Sequence, residues 1–177
     1  MGASAGKKLD PVDTQDTHPP GKNWDTLRAF EFKELGFNNI VLSGHSAGGW
    51  ESLILKSNFS SEIDGVIAFH PARSGKFAKA KNPHNGWVNW RNYKISLIKV
   101  EKLENVLVFS HAKDKYENPR TSKFLSDSEN VKFVDVSDTK CKGKIIYGGY
   151  HGITLTKCFS EKDPRSKEII KYLEEIF

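Results

Sequence analysis

Ser46 sits in the run Gly44-His45-Ser46-Ala47-Gly48, a Gly-x-Ser-x-Gly pattern extended by Gly49. A serine hydroxyl is a poor nucleophile at neutral pH and attacks only when a positioned base takes its proton. The setting says more than the pattern. Asn39-Ile40-Val41-Leu42-Ser43 reads as a strand buried on both faces, and residues 46–57, with Trp50, Leu53 and Ile54 on one side, read as a helix. A serine on the tight turn between strand and helix is exposed at the end of a sheet, as a nucleophile elbow requires. Gly44 and Gly48 are expected to relieve the crowding of that turn. The helix aims its unpaired N–H groups at the hydroxyl, which makes the Ala47 backbone N–H the expected oxyanion donor. The competing structural reading is an N-cap serine on a core helix.

Six histidines offer bases for such a serine. His45, His70, His84 and His111 are ligands or bases in principle, but no two stand at the His-x-x-x-His spacing that puts two imidazoles on one helix face. Neither a metal nor any other cofactor is expected. His45, next to the serine, reads as a residue that supports the elbow or lines the substrate site. Among the carboxylates, Asp114 stands five residues after the apolar run that ends at Phe109, with Glu117 and Asp138 as competitors.

Positioning these groups is the task of alternating strands and helices. A helix is expected over residues 24–35, with Asn23 as N-cap and Gly36 as its stop. Gly65-Val66-Ile67-Ala68-Phe69, Val106-Leu107-Val108-Phe109, Val131 to Val136 and Ile145-Ile146-Tyr147 read as strands, and Ile95 to Leu103 as a crossover helix. Asp163-Pro164 opens a closing helix to Phe177, with Ile169, Ile170, Leu173, Ile176 and Phe177 as its apolar stripe. The order implies an α/β fold, an open and mostly parallel sheet flanked by helices. Residues 1–23 read as an extended arm and 24–177 as one domain.

The stretch from Gly36 through Ser46 to Gly49 resembles the elbow of α/β-hydrolase-superfamily esterases, including dienelactone-hydrolase-like groups, which often write it Gly-His-Ser-Ala-Gly-Gly. The resemblance implies the chain order nucleophile, acid, histidine, with the acid after the second strand beyond the elbow and the histidine after the last strand. Asp114 and His151 match those places. His151 would then accept the Ser46 proton, and Asp114 would hold the imidazole tautomer and stabilise its cation. The implied activity is ester hydrolysis through an acyl-enzyme on a small-molecule ester or acyl substrate. A weak or inactive binding module, and an acyltransferase or peptidase with the same triad, are the alternatives. Residues 71–95 occupy the place of a cap insertion, so Trp87 and Trp90 either line the substrate site or pack the insertion onto the domain. The superfamily places several strands before the elbow, and one of their loops supplies the second oxyanion N–H; the polar residues preceding position 24 hold no such strands. The fold expected is therefore a truncated relative, with an elbow-strand edge open to a covering arm or to a homodimer contact.

Composition narrows the partners. Apolar residues make up 37% and charged residues 28%, as in a folded globular chain. The net charge of +5 is scattered rather than blocked, which argues against a nucleic-acid arm. No run approaches the roughly 18 apolar residues of a membrane span. Cys141 and Cys158 flank His151 and stand either as a disulfide bracing its loop or as ordinary thiols. The sequence assigns no cellular location.

Overall fold

Four short apolar runs form the sheet in the computed structural model, which describes residues 29, 31–80, 85–141 and 149–177. The strands are β1 (Val41–His45), β2 (Gly65–Phe69), β3 (Val106–Ser110) and β4 (Val131–Asp135), all parallel, in the order β1-β2-β3-β4. The helices are α1 (Ala47–Asn58), α2 (Asn85–Ser96), α3 (Lys123–Ser126), α4 (Lys157–Lys162) and α5 (Lys167–Ile176). The protein has an α/β fold.

Alternation along the strands sorts the core into two layers. Leu42, Val66, Ala68, Val106, Val108 and Val131 pack with Trp50 and Leu53 of α1, Leu125 of α3, and Ile98 and Leu103 of the β2–β3 connection. Ile67, Leu107 and Phe109 point the other way, onto Ile153, Phe159 of α4 and Tyr172 of α5. The connections between successive strands therefore share one face, as right-handed crossovers require when strand order follows chain order. The closing helix covers the opposite face. Gly65 lets it approach, since a Cβ there would stand 2.3 Å from the Tyr172 hydroxyl. That hydroxyl accepts from Val66 N–H at 2.9 Å and donates to Asn105 O, locking α5 to the start of β2.

β2 lies where the sequence puts it, while β1 begins two residues later than expected. Residues 31–34 are helical and end at Gly36, whose φ of 89° stops the turn as anticipated. The remainder of the 24–35 helix, the arm at 1–23 and the strand expected at Ile145–Tyr147 lie outside the described residues. One expectation is corrected: the main helix of the β2–β3 connection is Asn85–Ser96, and residues 95–103 hold only its end and a 3-10 turn at Val100–Lys102. The reason is electrostatic. The inward residues of α2 are Arg91 and Lys94, paired with Glu117 and Glu51 at 2.7 and 3.1 Å, so no apolar stripe marks the helix.

Candidate active site

Parallel strands gather the loops that follow them at one edge of the sheet, the usual place for a site in an α/β fold. Ser46 follows β1, His70 follows β2, Asp114 lies just beyond β3, and His151 lies in the segment after β4. Four positions far apart in sequence thus share the carboxyl edge.

The turn at Ser46 is sharp. Its φ of 57° and ψ of −119° are strained for a residue with a Cβ, and the side chain makes no capping hydrogen bond to α1. Ser46 N–H donates to Phe69 O at 2.9 Å, while Ser46 O accepts from Trp50 and Ala72 N–H, both at 3.1 Å. The backbone is pinned, and the hydroxyl forms no hydrogen bond with the described residues, unlike that of an N-cap serine. A Cβ on Gly44 would stand 2.4 Å from the Gly48 carbonyl carbon, and one on Gly49 would stand 2.8 Å from Gly44 O. Gly44 and Gly49 are therefore the glycines that let β1 and α1 touch. Gly48, expected to share that part, faces open space. Ala47 opens α1, where a first-turn N–H has no acceptor within the helix, as an oxyanion donor needs.

Asp114 and His151 form the polar centre. His151 Nδ1 lies 2.7 Å from Asp114 Oδ2, and both side chains are almost wholly buried. The other carboxylate oxygen accepts from Tyr116 N–H at 2.9 Å. Burial alone would raise the Asp114 carboxyl, but His151, His70 and the Tyr116 N–H together outweigh it and hold the group below the usual carboxylate range. An ionised Asp114 can only accept, so the His151 Nδ1 facing it carries a hydrogen and donates. The competing acids are occupied elsewhere: Glu117 takes Arg91, and Asp138 pairs with Arg165 at the exposed surface.

Two further contacts hold His151, and two more brace the chain around it. His45 Nε2 lies 2.7 Å from the His151 carbonyl oxygen, so the residue next to the serine donates to the backbone of the histidine. His45 thereby has a positioning part, which leaves one ring nitrogen for any role toward substrate. Tyr116 sets its ring 4.5 Å from the His151 ring. His111 stacks on Tyr150 at 4.2 Å, fixing the position before His151. Cys141 and Cys158 are joined, closing a 17-residue separation that contains His151.

Ser46 and His151 are not hydrogen-bonded: His151 Nε2 is buried and has no hydrogen-bond partner among the described residues, Ser46 Oγ included. Such contacts are commonly long in unliganded sites and shorten when substrate binds. Trp87 lies against the backbone of Gly75, where an added Cβ would meet its ring at 2.9 Å, and Trp90 packs on Tyr93 and Lys94. Neither makes a ring contact with His151. Their connection docks instead on the acid loop, through Ala78 N–H to Tyr116 O at 2.8 Å, Lys79 N–H to Lys115 O at 3.1 Å, and the Arg91–Glu117 pair. Two clefts, of about 400 and 600 Å³, open on other parts of the surface, and neither is lined by Ser46, Asp114 or His151.

Sequence reasoning passed over two residues of this centre. Tyr116 carried no motif. His70 was noted only for its residue type, although a histidine directly after a parallel strand falls by topology at the edge where sites form. Its ring is 1% exposed, its φ is 48°, and its Nδ1 lies 3.2 Å from Asp114 Oδ2 without the alignment of a hydrogen bond. Burial lowers the His70 pKa and keeps the imidazole neutral. One ligand atom each from His70, Asp114 and His151 lies within 4.8 Å of the others. In comparisons with known proteins, no family model and no curated protein matches this chain.

Proposed function

We propose that the protein is a serine hydrolase that cleaves carboxylic esters through an acyl-enzyme on Ser46. The observation that carries this reading is the buried 2.7 Å contact between Asp114 Oδ2 and His151 Nδ1, with His151 Nε2 left unpartnered. A core histidine normally satisfies both nitrogens. Here one side is fixed by an ionised carboxylate, and the other remains free to accept a proton.

In the proposed reaction, Nε2 takes the Ser46 proton as Oγ attacks the ester carbonyl, and Asp114 stabilises the imidazolium that results. The Ala47 N–H and the dipole of α1 oppose the charge growing on the carbonyl oxygen. His151 then returns its proton to the leaving alcohol, and water repeats the sequence to release the acid. The unused Ser46 hydroxyl on its strained turn, together with the His45 link to His151, supports the same reading.

A second reading is a hydrolase-like module that binds without turnover, favoured by the absent Ser46–His151 hydrogen bond. A fluorophosphonate probe separates the two. Stoichiometric labelling of wild type, lost in Ser46→Ala and His151→Ala, together with p-nitrophenyl ester hydrolysis, is the expected outcome. Folded protein that takes no label and hydrolyses no ester would leave the binding module.

A further inference from the structure

The hydrolytic scheme gives His70 nothing to do. It is nonetheless a buried imidazole at the end of β2 whose Nε2 has no hydrogen-bond partner and whose Nδ1 meets only the Asp114 carboxylate, without hydrogen-bond alignment; its N–H bond to Phe109 O at 2.8 Å holds a positive-φ conformation. A group that folding leaves unpaired beside a carboxylate points to a ligand that pairs it. Its Nδ1 faces Asp114 Oδ2 at 3.2 Å, on the oxygen that also meets His151 Nδ1 at 2.7 Å. Zinc bonds of about 2.0–2.1 Å at tetrahedral angles place neighbouring ligand atoms roughly 3.3 Å apart. The His70–Asp114 separation already has that value, the His151–Asp114 separation needs to widen by roughly half an ångström, and the donor atoms of the two histidines, no more than 4.8 Å apart, need to settle at the same spacing.

The donor chemistry is selective. Two neutral imidazoles and a carboxylate suit zinc and similar borderline cations, whereas magnesium and calcium favour all-oxygen shells. We propose that His70, Asp114 and His151 form a binding site for a divalent cation of the zinc class, and that the bound cation and ester hydrolysis exclude each other.

Exclusion follows from the tautomer and rests on the hydrolase reading; binding itself does not. With the cation on His151 Nδ1, the proton formerly there moves to Nε2, and no proton is lost. Nε2 then carries a hydrogen instead of a lone pair and cannot accept the Ser46 proton. The carboxylate that would stabilise an imidazolium is engaged by the metal as well.

Titration of the full chain with zinc chloride, read by calorimetry, tests the site, with magnesium chloride as comparison. Wild type and Ser46→Ala should bind one zinc ion equally, magnesium should not compete, and His70→Ala and His70→Gln should weaken zinc binding at least tenfold. Asp127→Asn, an exposed carboxylate outside the cluster that pairs with Lys123, should bind as wild type does. Imidazole NMR of wild type needs no variant: zinc should shift the His70 and His151 signals and move the His151 proton from Nδ1 to Nε2. Ester hydrolysis should fall over the same zinc range and return with chelator. Undiminished binding in the His70 variants, no saturable one-to-one binding, or unchanged His70 signals would overturn the site. Hydrolysis that is unaffected or raised at saturating zinc would overturn the exclusion. Zinc binding by a protein that hydrolyses nothing would instead remove the hydrolase reading and leave the site.

Discussion

β1 and β3 are parallel strands of five residues each, and each leads into a residue of the proposed triad. Every residue of β3 is buried, between β2 and β4, whereas no residue of β1 is, and its outer edge has no strand partner among the described residues. The two halves of the site inherit this difference. Asp114 and His151 are already joined at 2.7 Å, while Ser46 makes no bond to His151. A central strand delivers a finished carboxylate–imidazole pair, and a border strand delivers the proposed nucleophile with no hydrogen bond to that pair.

The largest effects should appear in catalysis. Ser46→Ala should lower kcat by about a millionfold and Asp114→Asn by about ten-thousandfold, the scale seen when a serine triad loses its nucleophile or its orienting acid. Steady-state ester hydrolysis checks both, and wild-type rates in Ser46→Ala would end the triad reading. The comparison is then broken at the level of packing. Phe109→Ala in β3 should cost about 3–5 kcal/mol, and Leu42→Ala in β1 no more than the low end of the roughly 2–5 kcal/mol range for such changes. Urea unfolding of the two variants reads the difference, and equal losses would mean that β1 is as enclosed as β3.

A smaller effect concerns the histidine half alone. Reducing Cys141–Cys158 should lower stability by about 2–4 kcal/mol, because the bridge limits the unfolded chain. The melting temperature with and without reductant checks this, and ester turnover measured alongside it reports whether the His151 segment stays in place. The smallest change is a gain: Gly48→Ala, placed in open space within α1, should stabilise by about 0.5–1 kcal/mol, measured by thermal unfolding.

Much of the sheet is legible in the sequence because β2 and β3 are apolar runs bounded by turn residues and β4 alternates apolar with polar residues, the patterns that burial on two faces and on one impose. The elbow is legible because its glycines answer a steric demand that the neighbouring strand and helix announce. Gly48 shows where pattern exceeds physics: Gly44 and Gly49 make the close approach, and the motif's last glycine does not. α2 was misplaced because its inward face is charged, and pairs such as Arg91–Glu117 form between residues whose meeting depends on the tertiary fold. His70 and Tyr116 share that obscurity, since no spacing rule relates residues on separate loops.

The same Arg91–Glu117 pair bears on how a substrate reaches the serine. Swinging α2 away from the acid loop would strand a carboxylate that is 2% exposed and a guanidinium that is 10% exposed. Removing either partner of a buried pair of this kind costs about 3–5 kcal/mol, because the other charge is left uncompensated. The pair therefore ties α2 to the loop that carries Asp114, and in the proposed reaction an ester would reach Ser46 past a margin other than this one.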